Sequence, residues 1–247
     1  MKGFVFLLCV LCSTVKAHEI NIVTEVFPDF QYIDANNKLA GRSVEKVKNA
    51  LDKTDINYSL SANNWTVSYN AALRDKNTCI FSIVRLPQRE DKFVWVSKLE
   101  PFESAIFALK SRGIKLNTLN DAKRYKIAVL KDNFSHHYLR ERGFNENRHL
   151  LLIDNLDKID KLISTRREIL DFVVLSKKQF NYRLKTEPKL NLLEPVFDLN
   201  TTQAPLYFAC NANMDPQIIK KLAHAFDLNN PLNSVSYTHL RAHETKK

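Results

Sequence analysis

Two arginines that follow a short apolar segment are the residues best suited to chemistry in this sequence. The segment is CIFSIV, from Cys79 to Val84, and Arg85 and Arg89 come just after it on either side of a proline. Arginine grips a planar carboxylate through two parallel hydrogen bonds and keeps its charge while doing so. Because α/β sheets bind ligands beyond the carboxyl ends of their strands, this spacing predicts a site for a small anion.

A loop before a predicted helix offers a second position for an anion. Residues 131–135, KDNFS, precede a helix that we predict over residues 135–142 and that Gly143 ends. The free N–H groups and the dipole at a helix N-terminus suit a carboxylate. Ser135 is also a common N-cap residue. We expect Ser135 to act as the N-cap, and the helix end can still bind a ligand, with Asn133 and Ser135 as the candidate contacts.

Metal and cofactor sites are not expected. His136 and His137 are adjacent on the predicted helix, so they point in different directions, and neither has a partner at the spacing that zinc requires. The chain has only four glycines, which excludes a glycine-rich phosphate loop. We therefore predict no metal, no cofactor and no catalytic residue.

The elements that must position these residues alternate between strands and helices. Strands are predicted at 19–26, 56–61, 79–84, 93–96, 126–130, 150–153 and 172–175, and helices at 43–51 (with Ser43 as cap), 67–74, 120 onward, 135–142, 155–164 and 216–226. This order predicts an α/β fold with mostly parallel sheets flanked by helices. Two extended apolar segments, 102–110 and 205–210, predict two lobes joined by two crossover strands that act as a hinge. Trp65 falls between a strand and a helix, at the edge of the expected cleft.

The first residues have the features of a cleaved export signal. Lys2 precedes an apolar core at residues 4–12, and Val15-Lys16-Ala17 is a small-x-small cleavage motif. We expect cleavage between Ala17 and His18 and a periplasmic location, with 1–17 as signal peptide. The apolar core is too short to span a membrane.

Cysteine content and charge limit the possible partners. Without the signal, Cys79 and Cys210 remain, and an oxidising compartment permits one disulfide. Both lie in apolar strand-like segments, where buried free thiols are commoner, so we favour two unpaired thiols. The formal net charge is +10, but the basic residues are scattered and form no stripe with aromatic residues. We expect anionic ligands or a membrane surface to be attracted, and no nucleic-acid partner.

The last residues differ in character from the rest. SVSYTHLRAHETKK, residues 234–247, has no apolar period. It resembles the translated read-through of a cloning adapter, and a native disordered terminus is the alternative. We expect a non-native tail and assign no functional weight to its histidines.

Together the motifs resemble the bacterial extracellular solute-binding proteins of the polar amino acid type (family 3), the two-lobed receptors of ABC importers. INIVTEVFPDFQYIDANNKLAGRSVEKVKNAL is similar to the opening of that family, LPQRE with FVWVS to its arginine signature, and the KDNFS loop, helix and LDFVV to its second lobe. The resemblance covers residues 19 to about 229. It implies the periplasmic-binding-protein-like II fold, with lobe 1 at 18–103 and 208–233 and lobe 2 at 104–207.

The resemblance also implies roles for individual residues. Arg89 matches the arginine that pairs with the ligand carboxylate, and Glu25 matches an acidic residue that faces a cationic group. Ser176 falls where amino acid receptors carry an aspartate for the ligand ammonium, so the ligand is not a standard α-amino acid or Glu25 supplies the counter-charge. Arg85 either lines the cleft or points outward. The predicted ligand-binding set is Arg89, Arg85, Glu25, Phe30, Trp65, Asn133, Ser135 and Ser176.

The function implied is reversible, non-catalytic capture of a small polar ligand that bears a carboxylate, by closure of the lobes. The expected partners are that ligand and an ABC permease of the inner membrane, with the protein itself a monomer. One alternative is an enzyme on the same scaffold, similar to the cyclohexadienyl dehydratases, with Glu25 as general acid. Another is a stand-alone periplasmic sensor that works with a separate partner protein.

Overall fold

The structure is a computed structural model that describes residues 19–156, 170–199 and 205–229, with 159, 162 and 165 as single residues between the first two ranges. The expected signal peptide and the expected tail lie outside the described residues. So does most of the helix predicted at 155–164.

The described chain forms two five-stranded sheets with helices on their faces. The elements whose residues enter the first sheet or pack on it are β1 (Glu19–Glu25), β2 (Tyr32–Ile33), β3 (Leu39–Ala40), α1 (Arg42–Leu51), β4 (Asn57–Asn63), α2 (Trp65–Arg74), β5 (Thr78–Val84), a 3-10 helix (Pro87–Lys92) and β6 (Phe93–Glu100). The second sheet is built from β7 (Ser104–Leu109), β8 (Ile127–Leu130), α3 (Phe134–Glu141), β9 (Leu150–Ile153), β10 (Phe172–Ser176), α4 (Lys177–Arg183) and β11 (Leu193–Asp198), with short 3-10 helices at Lys110–Arg112, Leu119–Arg124 and Pro188–Leu192. The chain then returns to the first sheet with β12 (Leu206–Asn211) and α5 (Pro216–Asn229).

Both sheets have one strand that runs against the other four. The first sheet has the order β4-β1-β5-β12-β6, and β12 is antiparallel to both of its neighbours. The second has the order β11-β7-β10-β8-β9, and there β7 is the antiparallel strand. In each sheet the reversed strand is the one by which the chain enters from the other lobe. The prediction of mostly parallel sheets is confirmed.

The chain passes between the lobes next to the two extended segments that the sequence suggested as crossovers. β6 ends at Glu100 and β7 begins at Ser104, so the first passage occupies residues 101–103. The segments themselves are interior strands, since β7 lies between β11 and β10 and β12 lies between β5 and β6. Their apolar character follows from burial on both faces of a sheet.

Cys79 and Cys210 form a disulfide, so the expectation of two unpaired thiols is wrong. The reason lies in the register of β5 and β12, which places the two residues opposite each other on antiparallel strands. Side chains opposite each other on such strands face the same side of the sheet, within bonding reach. Both belong to the core that α1 and α5 cover. The bond spans 131 positions of sequence, and a loop of that size corresponds to roughly 5 kcal/mol of stabilisation in the chain-entropy description.

The start of α1 depends on a glycine. Gly41 precedes the helix with φ of 120°, and a Cβ at that position would lie 2.5 Å from the Phe30 carbonyl oxygen. Ser43, predicted as the cap, instead lies inside the helix, where its backbone N–H donates to Phe30 O at 3.0 Å. The cap prediction is therefore wrong, because the loop that carries Phe30 takes over the capping. No helix in the described part of the chain combines the length and the apolarity that crossing a membrane requires.

Candidate functional site

A cavity lies between the two lobes and brings six of the eight predicted residues together. The space that these residues surround is about 560 Å³ when the open mouth of the cavity is included. The predicted residues that line it are Glu25, Trp65, Arg89, Asn133, Ser135 and Ser176. The first three come from the first lobe, and the other three face them from the second.

Arg89 is the most deeply buried charge at this site, with an exposed fraction of 1%. Its Nη1 donates to Val84 O at 2.9 Å, and its Nη2 donates to Asp132 O of the second lobe at 2.6 Å. The guanidinium carbon lies 5.1 Å and 5.0 Å from the ring centres of Trp65 and Tyr69. Its Nε has no hydrogen-bond partner among the described residues. Arg89 therefore has one buried N–H group that no described residue satisfies.

The charge of Arg89 is set by opposing influences. Burial lowers the pKa of Arg89, while Tyr69, Asp132 and Glu25 act in the opposite direction. An arginine keeps its proton under such conditions because its ordinary pKa lies far above neutrality. The site thus holds a desolvated cation, which gains strongly from a ligand carboxylate.

The local fold explains why Arg89 reaches the cavity. β5 is buried along its whole length and ends at Val84, at the edge of the cleft. The 3-10 helix after it begins with Pro87, and Arg89 N donates to Leu86 O at 2.9 Å. This tight turn brings the Arg89 side chain back over the end of the strand that precedes it.

Glu25 and Trp65 share an edge because their strands are parallel. Glu25 is the last residue of β1, and it pairs in register with Asn63, the last residue of β4. Asn64 caps α2 by accepting a hydrogen bond from Val67 N at 3.0 Å, so Trp65 opens the helix directly at the cleft. Trp65 is 3% exposed, and its Nε1 has no hydrogen-bond partner among the described residues.

A buried polar network that sequence reasoning missed also reaches the cavity. Ser82 donates to Gln31 Oε1 at 2.9 Å, and Gln31 Nε2 donates to Thr24 Oγ1 at 3.0 Å. Ser82 has a positive φ of 59°, and the register between β5 and β12 skips it, so it is a bulge residue. Such a backbone costs about 1–3 kcal/mol and persists only where its surroundings hold it. The bulge turns the Ser82 position toward the ligand space.

The second lobe presents uncharged groups at helix starts. Asn133 caps α3 by accepting from Phe134 N, and Ser176 caps α4 by accepting from Gln179 N at 3.5 Å. Ser135 lies in the first turn of α3 and is buried, so its predicted role as N-cap is wrong and Asn133 has that role. Among the described residues that line the cavity, the second lobe contributes no charged side chain.

Arg85 and Phe30 lie outside the cavity lining. Arg85 donates two hydrogen bonds to the Glu90 carboxylate and lies over the ring of Trp95. The hydrogen bonding to Glu90 raises the pKa of Arg85. Phe30 is fully buried, 4.9 Å from the ring of Phe27. Phe27 lines the cavity in its place.

The reason given for excluding a metal at His136 and His137 does not hold. Each of the two histidines and Asp132 offers a ligand atom, and these three atoms lie within 4.8 Å of one another. Both ring nitrogens of His136 are already engaged, however. Nδ1 accepts from Asp132 N at 3.1 Å, and Nε2 lies 2.9 Å from Glu146 Oε1. A metal would have to displace one of these hydrogen bonds.

Comparison with known proteins supports the fold. No protein-family model and no curated protein matches the sequence. Among solved structures, the chain is similar to a histidine kinase sensor domain with similarity to periplasmic binding proteins, with TM-score 0.74, 20% identity, and coverage of 91% of this chain and 94% of that one. It is also similar to an ancestral arginine-binding protein bound to arginine, with TM-score 0.72, 17% identity, and coverage of 85% and 91%.

A third similar structure is an ABC uptake transporter substrate-binding protein from Streptococcus pneumoniae with bound histidine. Its TM-score is 0.69 at 16% identity, and the match covers 85% of this chain and 86% of that one. These likenesses confirm the predicted two-lobed α/β fold of periplasmic binding proteins.

Proposed function

We propose that this protein captures a small polar solute that bears a carboxylate, by closing its two lobes around it. The observation that carries the proposal is Arg89, a buried cation at a cavity between the lobes with an unpaired Nε–H among the described residues. Similar structures include proteins bound to arginine and to histidine, both of which are carboxylate-bearing ligands. Arg89 binds the carboxylate, and uncharged groups of the second lobe complete the site.

The charge distribution narrows the ligand class. The charged side chains that line the cavity in the described chain are Glu25 and Arg89, and both belong to the first lobe. Ser176 of the second lobe provides a hydroxyl but no charge for an ammonium group. A ligand with both a carboxylate and an amine therefore places its amine near Glu25. The remaining predicted contacts, from Trp65, Asn133 and Ser135, provide stacking and hydrogen bonds.

The setting of this activity follows from the same resemblance. The protein acts in the periplasm after cleavage between Ala17 and His18, as a monomer that delivers its ligand to an ABC permease. The predicted lobe boundaries, after residues 103 and 207, belong to this proposal. The first strands after the two passages begin at Ser104 and Leu206.

A sensory role is the second candidate, and one comparison favours it. The kinase sensor domain matches over 94% of its length. In that case the closed, ligand-bound form would signal to a separate membrane protein instead of feeding a permease. Uptake of a radiolabelled ligand by cells with and without this gene separates the roles, because only the transport role requires uptake to fall.

Thermal unfolding with a set of amino acids, amines and dicarboxylates tests ligand capture. A ligand that binds only the folded state at 100 times its Kd adds about 2.7 kcal/mol of stability, so the Tm must rise with at least one compound. Arg89→Ala should abolish that rise. Arg85→Ala is the matched control, because it removes an arginine four positions away that lies outside the cavity lining. A Tm that no compound raises, or a rise that survives Arg89→Ala, contradicts the proposal.

The enzyme alternative has a direct assay. Glu25 is the carboxyl group that lines the cavity in the described chain, so an elimination reaction would depend on it as general acid. Incubation with prephenate should leave the compound unchanged. Formation of an elimination product that disappears in Glu25→Gln would replace the binding proposal with catalysis.

A further inference from the structure

We propose that His136 is a positioning residue of this site, which holds Asp132 so that its carbonyl oxygen receives the Arg89 guanidinium across the cleft. The inference rests on the proposed function only in that Arg89 is the ligand-binding cation. The contact between the lobes is a property of the protein without ligand and is testable in that state.

The first step is the unusual backbone of Asp132. It lies between β8 and α3 and has a φ of 55°, a left-handed conformation that non-glycine residues rarely adopt. Its N–H donates to His136 Nδ1 at 3.1 Å, while its C=O accepts from Arg89 Nη2 at 2.6 Å. Because one hydrogen bond lies on each side of the same strained residue, the imidazole determines where the carbonyl oxygen points.

The second step is that the His136 ring has little freedom. It is 2% exposed, and its Nε2 lies 2.9 Å from Glu146 Oε1. Arg140 Nε in turn lies 3.2 Å from the same carboxylate oxygen. Since Nδ1 accepts from a backbone N–H, the ring proton must be on Nε2, where it faces the carboxylate. The ring is therefore fixed in one tautomer and one orientation.

The third step connects these contacts to the ligand. Arg89 Nη2 belongs to the guanidinium that would grip a carboxylate, so the Asp132 carbonyl orients that fork as well as joining the lobes. A continuous path of hydrogen bonds thus leads from Glu146 at the surface of the second lobe, through His136 and Asp132, to the buried cation of the first lobe.

Two variants of the full chain separate positioning from packing. His136→Leu keeps an apolar side chain but removes the acceptor, whereas His136→Asn restores an acceptor oxygen near the place of Nδ1. Without ligand, His136→Leu should increase the radius of gyration in small-angle scattering and speed exchange of the Asp132 amide by about tenfold, the factor expected for loss of one hydrogen bond. His136→Asn should behave like the wild type in both measurements.

Rescue by His136→Asn is a readout that a purely structural role of the imidazole would not provide, and it remains informative if His136→Leu fails to fold. Equal behaviour of His136→Leu and the wild type, or failure of His136→Asn to match the wild type, would overturn the proposal. None of these outcomes depends on a ligand, so a failure here is distinct from a failure of the proposed function.

Discussion

The two lobes contribute different chemistry to the same cavity. The first lobe provides the charges, Glu25 and Arg89, and its sheet is cross-linked by the disulfide between Cys79 and Cys210. The second lobe provides hydroxyl and amide groups from the starts of α3 and α4. Charged and uncharged groups are therefore divided between the two lobes. Under the proposed function, the first lobe would select the ligand by charge and the second lobe would enclose it.

Removal of the disulfide tests the stability side of this comparison and has the largest expected effect. Replacing both Cys79 and Cys210 by alanine should lower the free energy of unfolding of the first lobe by about 2–5 kcal/mol. Urea unfolding, followed by fluorescence of Trp65 and Trp95, measures it. Both tryptophans lie in the first lobe, so they report on that lobe directly. Unchanged unfolding midpoints would mean that the cross-link does not distinguish the lobes.

Arg89→Lys tests whether charge alone is sufficient in the first lobe. Lysine keeps the charge but cannot donate to both Val84 O and Asp132 O while also holding a carboxylate in two-point geometry. We expect ligand affinity to fall by about a hundredfold, which corresponds to roughly 2.7 kcal/mol. Isothermal titration with the compound that raises the Tm most measures it. Arg85→Lys is the control and should leave affinity unchanged, whereas equal losses in both variants would argue against a special role for Arg89.

Glu25→Gln sharpens the assignment of the amine to the first lobe. The variant keeps the size of the side chain and removes its charge, so amine-bearing carboxylates should lose about tenfold in affinity relative to simple carboxylates. Paired titrations with an amino acid and its deaminated analogue give this ratio. A ratio that does not change would place the amine elsewhere in the cavity.

Ser176→Ala tests the neutral contribution of the second lobe and has the smallest expected effect. The serine caps α4, so its loss should cost about 1 kcal/mol of stability. Ser176→Asp is the matched variant, because aspartate is an equally good cap and adds a charge facing the cavity. It should keep the stability measured by urea unfolding and should change the amine preference. An Ser176→Asp protein as unstable as Ser176→Ala would show that the role of Ser176 is not capping.

The sequence was informative wherever a residue that lines the cavity lies at or just after the end of a strand. Glu25 ends β1, and Trp65 and Arg89 follow β4 and β5, so the rule about carboxyl ends of parallel strands is sufficient to place them together. The two reversed strands β7 and β12 were less accessible, because their apolar composition is equally consistent with an interior strand and with a linker.

Long-range register and local turns account for what was missed. The disulfide and the Ser82 bulge both depend on how β12 pairs with β5, and no local pattern encodes a register between segments so far apart. Phe27 and Phe30 differ by a turn that closes with a bridge between Phe27 and Gln31, which puts one ring in the cavity and the other in the core. Helix α4 was missed because KKQFNYR follows β10 without a break.

The return of the chain to the first sheet affects the order in which the protein matures. β7 to β11 form one uninterrupted stretch of sequence, whereas the first sheet is incomplete until β12 and α5 have been synthesised. Contacts between distant segments form slowly because a long loop must close first. The second lobe can therefore acquire its structure during synthesis, while the first lobe must wait for the final segment and for oxidation of its cysteines. Oxidising conditions during refolding should accordingly speed recovery of the first lobe and leave the second unaffected.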